Sequence, residues 1–440
     1  MSEEKLKKSV TFIESLAIII GLVIGSGIFI KPAVVLKNAG SPGMAVMTWI
    51  VGGLITLCAA LSISEIAGAI PKTGGFYTYL KELYGDVWGF LYGWVELVIS
   101  YPGSTAALAI AFATYASFFV PLTAMQQKVL AILMIALFIG LNILATKYGS
   151  VVQTLATIGK LIPMIVIIAV GLISGTAHDL GFVSTGVAAG SGFGAAILGV
   201  LWAFDGWISI TYMAGEVEDA KNKLPKAIVV GVLVVLTVYT LFNVAIFNTM
   251  PADQVANSEM IASDVAVKLF GTRGAIIINI GILISVFGAL NGNLMTGARI
   301  PFAMGEQKQL PCSEWFCKVH PKFATPANAL ITIGVISVIY ILLGTFNTIT
   351  DFIEFVLWIF FTFGVLGVFV LRKRVPAEKR PFKVPLYPIT PILGMCGGLF
   401  ILVSTLRSSF LHAMIGIGLT LLGLPIYYYV ERKKKTGEKI

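Results

Sequence analysis

Apolar residues run along this chain in long blocks parted by short polar stretches, and the length of the blocks sets the expected architecture. Twelve are long enough to cross a hydrocarbon layer as helices, at about 17 to 25 residues each. They lie near 13–36, 43–69, 87–115, 127–145, 148–173, 192–214, 226–249, 274–300, 326–344, 352–371, 386–406 and 410–430. The expected fold is an all-α integral membrane protein of twelve transmembrane helices, with no separable soluble domain.

Three blocks carry polar or helix-weakening residues where apolar continuity matters most. The first runs from Ile18 to Pro32 through Gly25-Ser26-Gly27, and glycine there weakens a helix whose backbone groups find no water in lipid. A half-helix starting near Ser26 would aim its unpaired N–H groups and the positive end of its dipole at the gap, favouring a carboxylate. The fifth block holds Lys160, twelve residues from Tyr148, or about 18 Å along a helix. A lysine stem cannot reach either surface from that depth, so the amine faces a cavity, is paired, or is neutral. The sixth block holds Asp205 within Leu201–Trp207, about 20 Å from Gly192. Breaks or charges at one depth in helices 1, 5 and 6 are what a central substrate site produces.

Helices 1 and 6 are five apart, and an odd repeat inverts its second copy, so the two breaks are expected to lie antiparallel across one cavity. The expected organisation is a short amino-terminal tail (1–12), two five-helix repeats (13–173 and, inverted, 192–371), helices 11 and 12 (386–430) and a tail (431–440). Other polar positions have plainer readings. Ser64 to Gly75 reads as a turn that stops helix 2. Glu96 in helix 3 reads as a paired or water-facing carboxylate, with a proton carrier as the sharper alternative. Tyr239 and Asn243 share one face of helix 7, lining the cavity or pairing with a neighbour. Asn291 in helix 8 reads as interhelical packing or substrate contact. Asp351 and Glu354 are placed near the outer end of helix 10.

Composition agrees: 57% of the 440 residues are hydrophobic and 12% charged, against roughly 25% charged in soluble domains. The net charge of +9 is a matter of sidedness. With the amino terminus inside, 24 of the 31 Lys and Arg residues fall on the cytoplasmic side, led by Arg372 to Lys383 and Arg432 to Lys435. That asymmetry places both termini in the cytoplasm of a multi-pass plasma-membrane protein and removes any need for nucleic acid. No cleavable signal is expected, because the tail from Met1 to Thr11 is short and polar. Cys58 and Cys396 lie in apolar helices, so no extracellular disulfide is expected. Cys312, Cys317 and His320 are irregularly spaced for a metal site and read as loop residues, and no cofactor is called for. An enzyme would need a nucleophile and base or a metal at one depth, and His178, His320 and His412 lie in loops or near helix ends. A channel would need polar groups along a continuous pore, whereas here they gather at one level.

Four motifs, in order, resemble the L-type (light-subunit) transporters of the amino acid, polyamine and organocation superfamily. They are Ile24–Phe29, Ile70–Gly75, Ala203–Trp207 and Phe287–Gly292. The likeness covers nearly the whole chain and is greatest to the stand-alone bacterial branch, for which no heavy-subunit partner is expected. It implies a LeuT-like fold of five plus five inverted helices with two more, and sodium-independent exchange of amino acids. Carried over by position, the backbone of Ile24, Ser26 and Gly27, with Gly25 and Ile28 beside them, binds the substrate carboxylate. The unwound backbone around Trp202, Ala203, Phe204 and Asp205 binds its ammonium, Trp202 standing where the family has an aromatic gate. Lys160 stands near where sodium-coupled relatives hold an ion. Read from their own positions, Tyr239 and Asn291 are the other candidate transport residues. Asp205 in place of glycine and Trp202 in place of phenylalanine narrow the pocket, so small neutral L-amino acids (Ala, Ser, Thr, Cys) are the expected substrates. A proton-coupled symporter, in which Lys160 releases its proton during the cycle, is the alternative.

Overall fold

A computed structural model describes residues 10–72, 74–144, 149–178, 180–182, 192–323 and 325–436, the side chains of 149–160 lying outside that description. Among the described residues the regular structure is helical apart from one isolated bridge between Val10 and Val217, with turns and irregular segments between the helices. Each apolar block falls on a helix or a helix pair, numbered by the block it occupies. Helix 1 is two pieces, 1a (Phe12–Val23) and 1b (Gly27–Ala39), bent by 49° at the break. Helices 2 (Pro42–Ala69), 3 (Asp86–Ala116), 4 (Ala124–Leu144) and 5 (Gly149–Ser174) follow. Helix 6 is again two pieces, 6a (Phe193–Phe204) and a short 3-10 turn 6b (Ser209–Met213). Then come helices 7 (Ala220–Thr249), 8 (Ile261–Glu306), 9 (Ala327–Leu343), 10 (Phe346–Arg374), 11 (Ile389–Ser408) and 12 (Phe410–Thr436). By length and apolarity, nine helices among the described residues suffice to cross a membrane, or ten with the bent pair taken as one.

Local sequence explains most ends. Thr11 and Glu14 form a reciprocal cap on helix 1a, and Thr345 and Thr348 do the same for helix 10. That second cap starts helix 10 at Phe346, six residues before its apolar block, so Asp351 and Glu354 sit one to two turns inside the helix rather than near its end. Helix 8 starts well before its block and bends at Gly271, whose φ is +67°. Helix 3 contains a π-helical stretch at Glu96–Ser100.

The interior is apolar, and so is much of the outside. Leu133, Leu137 and Leu141 of helix 4, Leu343 of helix 9 and Phe410 of helix 12 are exposed, as expected of side chains that meet lipid. One buried charge cluster ties the ends of helices together. Glu65 of helix 2 is fully buried and accepts from Arg372 Nε and Nη2 at 2.9 and 2.7 Å, from Arg380, and from the Val384 backbone N–H at 2.8 Å. The Arg372 guanidinium also stacks 3.6 Å from the Tyr387 ring centroid. Two charges read from sequence as membrane-sidedness signals are therefore also structural.

Candidate functional site

The two breaks meet. Helix 1b starts against the end of helix 6a: a Cβ on Gly27 would stand 2.8 Å from Ala203 Cα and 3.1 Å from Trp202 Cδ1. Further along, Gly199 lies against Lys31 and Val35, so the residue numbers run in opposite senses and the two half-helices are antiparallel. Across the break, a Cβ on Gly206 would stand 3.2 Å from the Leu22 carbonyl, and its φ of +101° is open to glycine and strained for other residues.

Each break frees backbone groups, and their partners define the chemistry. Ile24 is extended (ψ 91°), and the uncapped helix 1b that follows leaves its first N–H groups without partners in the helix. Ser26 is 1% exposed, and its hydroxyl neither caps the helix nor finds any other partner. This end therefore offers N–H donors, a free hydroxyl and a positive dipole to an anion. Helices 1a and 6a end at the same place, presenting carbonyls and negative dipole ends to a cation. Tyr239 of helix 7 stands between them, its hydroxyl 3.0 Å from both Val23 O and Ala203 O. One phenolic proton is shared between two carbonyls, so both retain lone pairs for another donor. A group negative at one end and positive at the other, such as an amino acid, matches this pair of surfaces.

The structure brings Ile24, Gly25, Ser26, Gly27 and Ile28 together with Trp202, Ala203 and Asp205 at the breaks. Gly25 and Asp205 are part-exposed in an otherwise buried neighbourhood. The Phe204 ring turns away, lying 6.5 Å from Trp49 and 5.1 Å from Tyr239. Trp202 meets Phe346 of helix 10 edge-on at 6.3 Å. Asn291 is engaged by packing: its amide oxygen accepts from Asn142 Nδ2 of helix 4 at 2.9 Å. Glu96, in the π-helical stretch, has Tyr92, Ser100 and Tyr212 as hydrogen-bonding neighbours, and Tyr92 and Tyr212 join at 2.9 Å. Lys160 belongs to helix 5, but its side chain lies outside the described residues.

Sequence reasoning placed Asp351 and Glu354 on helix 10 but missed the burial of Glu354 and the pairing of Asp351 with Lys31. Lys31 of helix 1b is fully buried, its Nζ 2.7 Å from Asp351 Oδ1 and 5.6 Å from the Phe346 ring centroid. Glu354, one turn on, is 1% exposed, and its Oε1 has no hydrogen-bond partner. Contacts between residues 320 positions apart leave no mark in one sequence. The available signal was a lysine and one acid inside apolar blocks, with a second acid at a block's edge, each costly in lipid unless paired.

A profile of the amino acid permease family matches residues 10–420. The chain is similar to the serine/threonine exchanger SteT of Bacillus subtilis, 40% identical over 430 residues that cover 98% of each protein. It is similar to Asc-type amino acid transporter 1 of Mus musculus, 32% identical over 96% of this chain and 81% of that one. The large neutral amino acids transporter small subunit 2 of Homo sapiens is 31% identical over 98% of this chain and 82% of its own.

Proposed function

This chain belongs to the amino acid permease family, and from that premise we propose that it is a sodium-independent exchanger of small neutral L-amino acids such as alanine, serine, threonine and cysteine. The observation that carries the reading is the meeting of two interrupted, antiparallel half-helices that offer amide donors on one side and carbonyl acceptors on the other. Whole-length likeness to a serine/threonine exchanger supports exchange of small polar substrates. Trp202 and Asp205 at the break support a narrow pocket. In the proposed cycle a zwitterion clamps helix 1b to helix 6a, and the loaded carrier rocks one bundle against the other. The 13–173 and 192–371 repeats supply those bundles, both termini face the cytoplasm, and the protein works in the plasma membrane without a heavy subunit.

Purified protein in liposomes tests this. Labelled serine is expected to enter vesicles preloaded with serine or alanine, at a rate unchanged when choline replaces sodium, and to stay out of empty vesicles. Uptake into empty vesicles that grows with an imposed pH gradient overturns exchange in favour of proton-coupled symport.

A further inference from the structure

Two side-chain oxygens beside the breaks are buried without a partner, Ser26 Oγ on helix 1b and Glu354 Oε1 on helix 10. The serine belongs to the carboxylate end described above. The glutamate is not one of the amide donors or carbonyl acceptors that the two breaks offer, and a buried carboxylate oxygen left unpaired costs far more than a satisfied one. Its level is fixed by its neighbours. Helix 10 sets Phe346 against Trp202 and Phe361 against Trp207. Glu354 falls between these contacts, and at 100° per residue it lies about 20° from the face of Phe361. It therefore stands level with Asp205, and Asp205, Lys31 and Asp351 are the charged groups that act on it. The lysine is already committed to Asp351 at 2.7 Å, and Trp358 is in hydrogen-bonding reach of the glutamate, which leaves Oε1 open.

We propose that Glu354 is a specificity-determining residue, its unpaired Oε1 receiving the side-chain hydroxyl of a bound amino acid, so that this carrier selects serine and threonine over apolar amino acids of the same shape. This deepens the exchange reading and rests on it. A hydroxyl both gives and takes a hydrogen bond, so it satisfies Glu354 whether the acid is ionised or protonated. A methyl group in the same place leaves the oxygen buried and unpaired, which is the larger penalty. Lys31 and Asp351 act as positioning residues: their ion pair holds helix 10 to helix 1b and keeps the lysine from closing on Glu354.

The test is competition against labelled serine exchange by isosteric pairs, threonine against valine and serine against 2-aminobutyrate. In the unmodified protein the hydroxylated member is expected to compete at least about tenfold better, the lower end of what a hydrogen bond to a buried charged group discriminates. In Glu354→Leu that ratio is expected to fall to near one for both pairs, and in Glu354→Gln to lie between. A merely structural role would change the rate for every substrate and leave the ratios alone. Equal competition by both members of each pair in the unmodified protein overturns the proposal even if no variant folds, as do ratios unchanged in Glu354→Leu. Absence of exchange with any small neutral amino acid overturns the functional reading instead.

Discussion

Gly27→Val is expected to abolish exchange while the protein still reaches the membrane. The cause is steric and local. Even a methyl group at this position would stand 2.8 Å from the backbone Cα of Ala203 and 3.0 Å from its Cβ, closer than real atoms pack, and backbone cannot swing aside as a long side chain can. Helices 1b and 6a must separate, which moves the amide donors away from the carbonyls of Val23 and Ala203. A misplacement of about 1 Å in such a constellation is enough to cost about a hundredfold in rate. Counterflow of labelled serine, normalised to protein recovered in the membrane, reads the effect, and a rate near that of the unmodified protein would contradict the packing described. Gly25 separates packing from binding, because a Cβ there meets only Val23 O, at 3.9 Å. A defect in Gly25→Ala would therefore point to the bound substrate rather than to helix approach.

The second large effect is on stability. Glu65→Ala is expected to destabilise the protein by about 3–5 kcal/mol, the range for removing one partner of a buried ion pair. The carboxylate is fully buried and holds two guanidinium groups and one backbone N–H. Without it Arg372 and Arg380, which are 20% and 10% exposed at the side chain, keep their charges in a confined space. Helix 2, the end of helix 10 and the segment through Val384 lose their common anchor. Thermal unfolding in detergent measures this, and Glu65→Gln, which keeps an acceptor but loses the charge, should fall between. Unchanged midpoints in both variants would show that the cluster contributes no net stability.

Local signals carried the fold a long way. Block length and apolarity located the helices, and Gly25-Ser26-Gly27 and Asp205-Gly206 marked the two breaks, because weak helix formers inside an apolar block have few other uses. The expectation that the breaks face each other in opposite senses rested on their spacing, and the pairing of Gly27 with Ala203 and of Gly199 with Lys31 shows that arrangement locally. Long-range charge pairing was not legible. Glu65 with Arg372 and Lys31 with Asp351 are separated by 307 and 320 positions, and nothing in a single sequence says which acid meets which base. Helix 10 hid its chemistry for a second reason: the threonine cap at Thr345 extends the helix beyond its apolar block, which put Glu354 at an apparent end instead of beside the break. Tyr239 was legible as a candidate transport residue on one face of helix 7, but its partners were not. Its role in holding Val23 and Ala203 together depends on two carbonyls brought to one point by folding.

The central claim is that the two interruptions jointly bind the amino acid, and a structure of the protein in a lipid nanodisc with bound serine tests it most directly. The account predicts density for the substrate between Gly25–Gly27 and Asp205, its carboxylate on the amide groups at the start of helix 1b and its ammonium toward the carbonyls of helices 1a and 6a. A continuous helix 1 or helix 6, or serine bound away from both breaks, would contradict it.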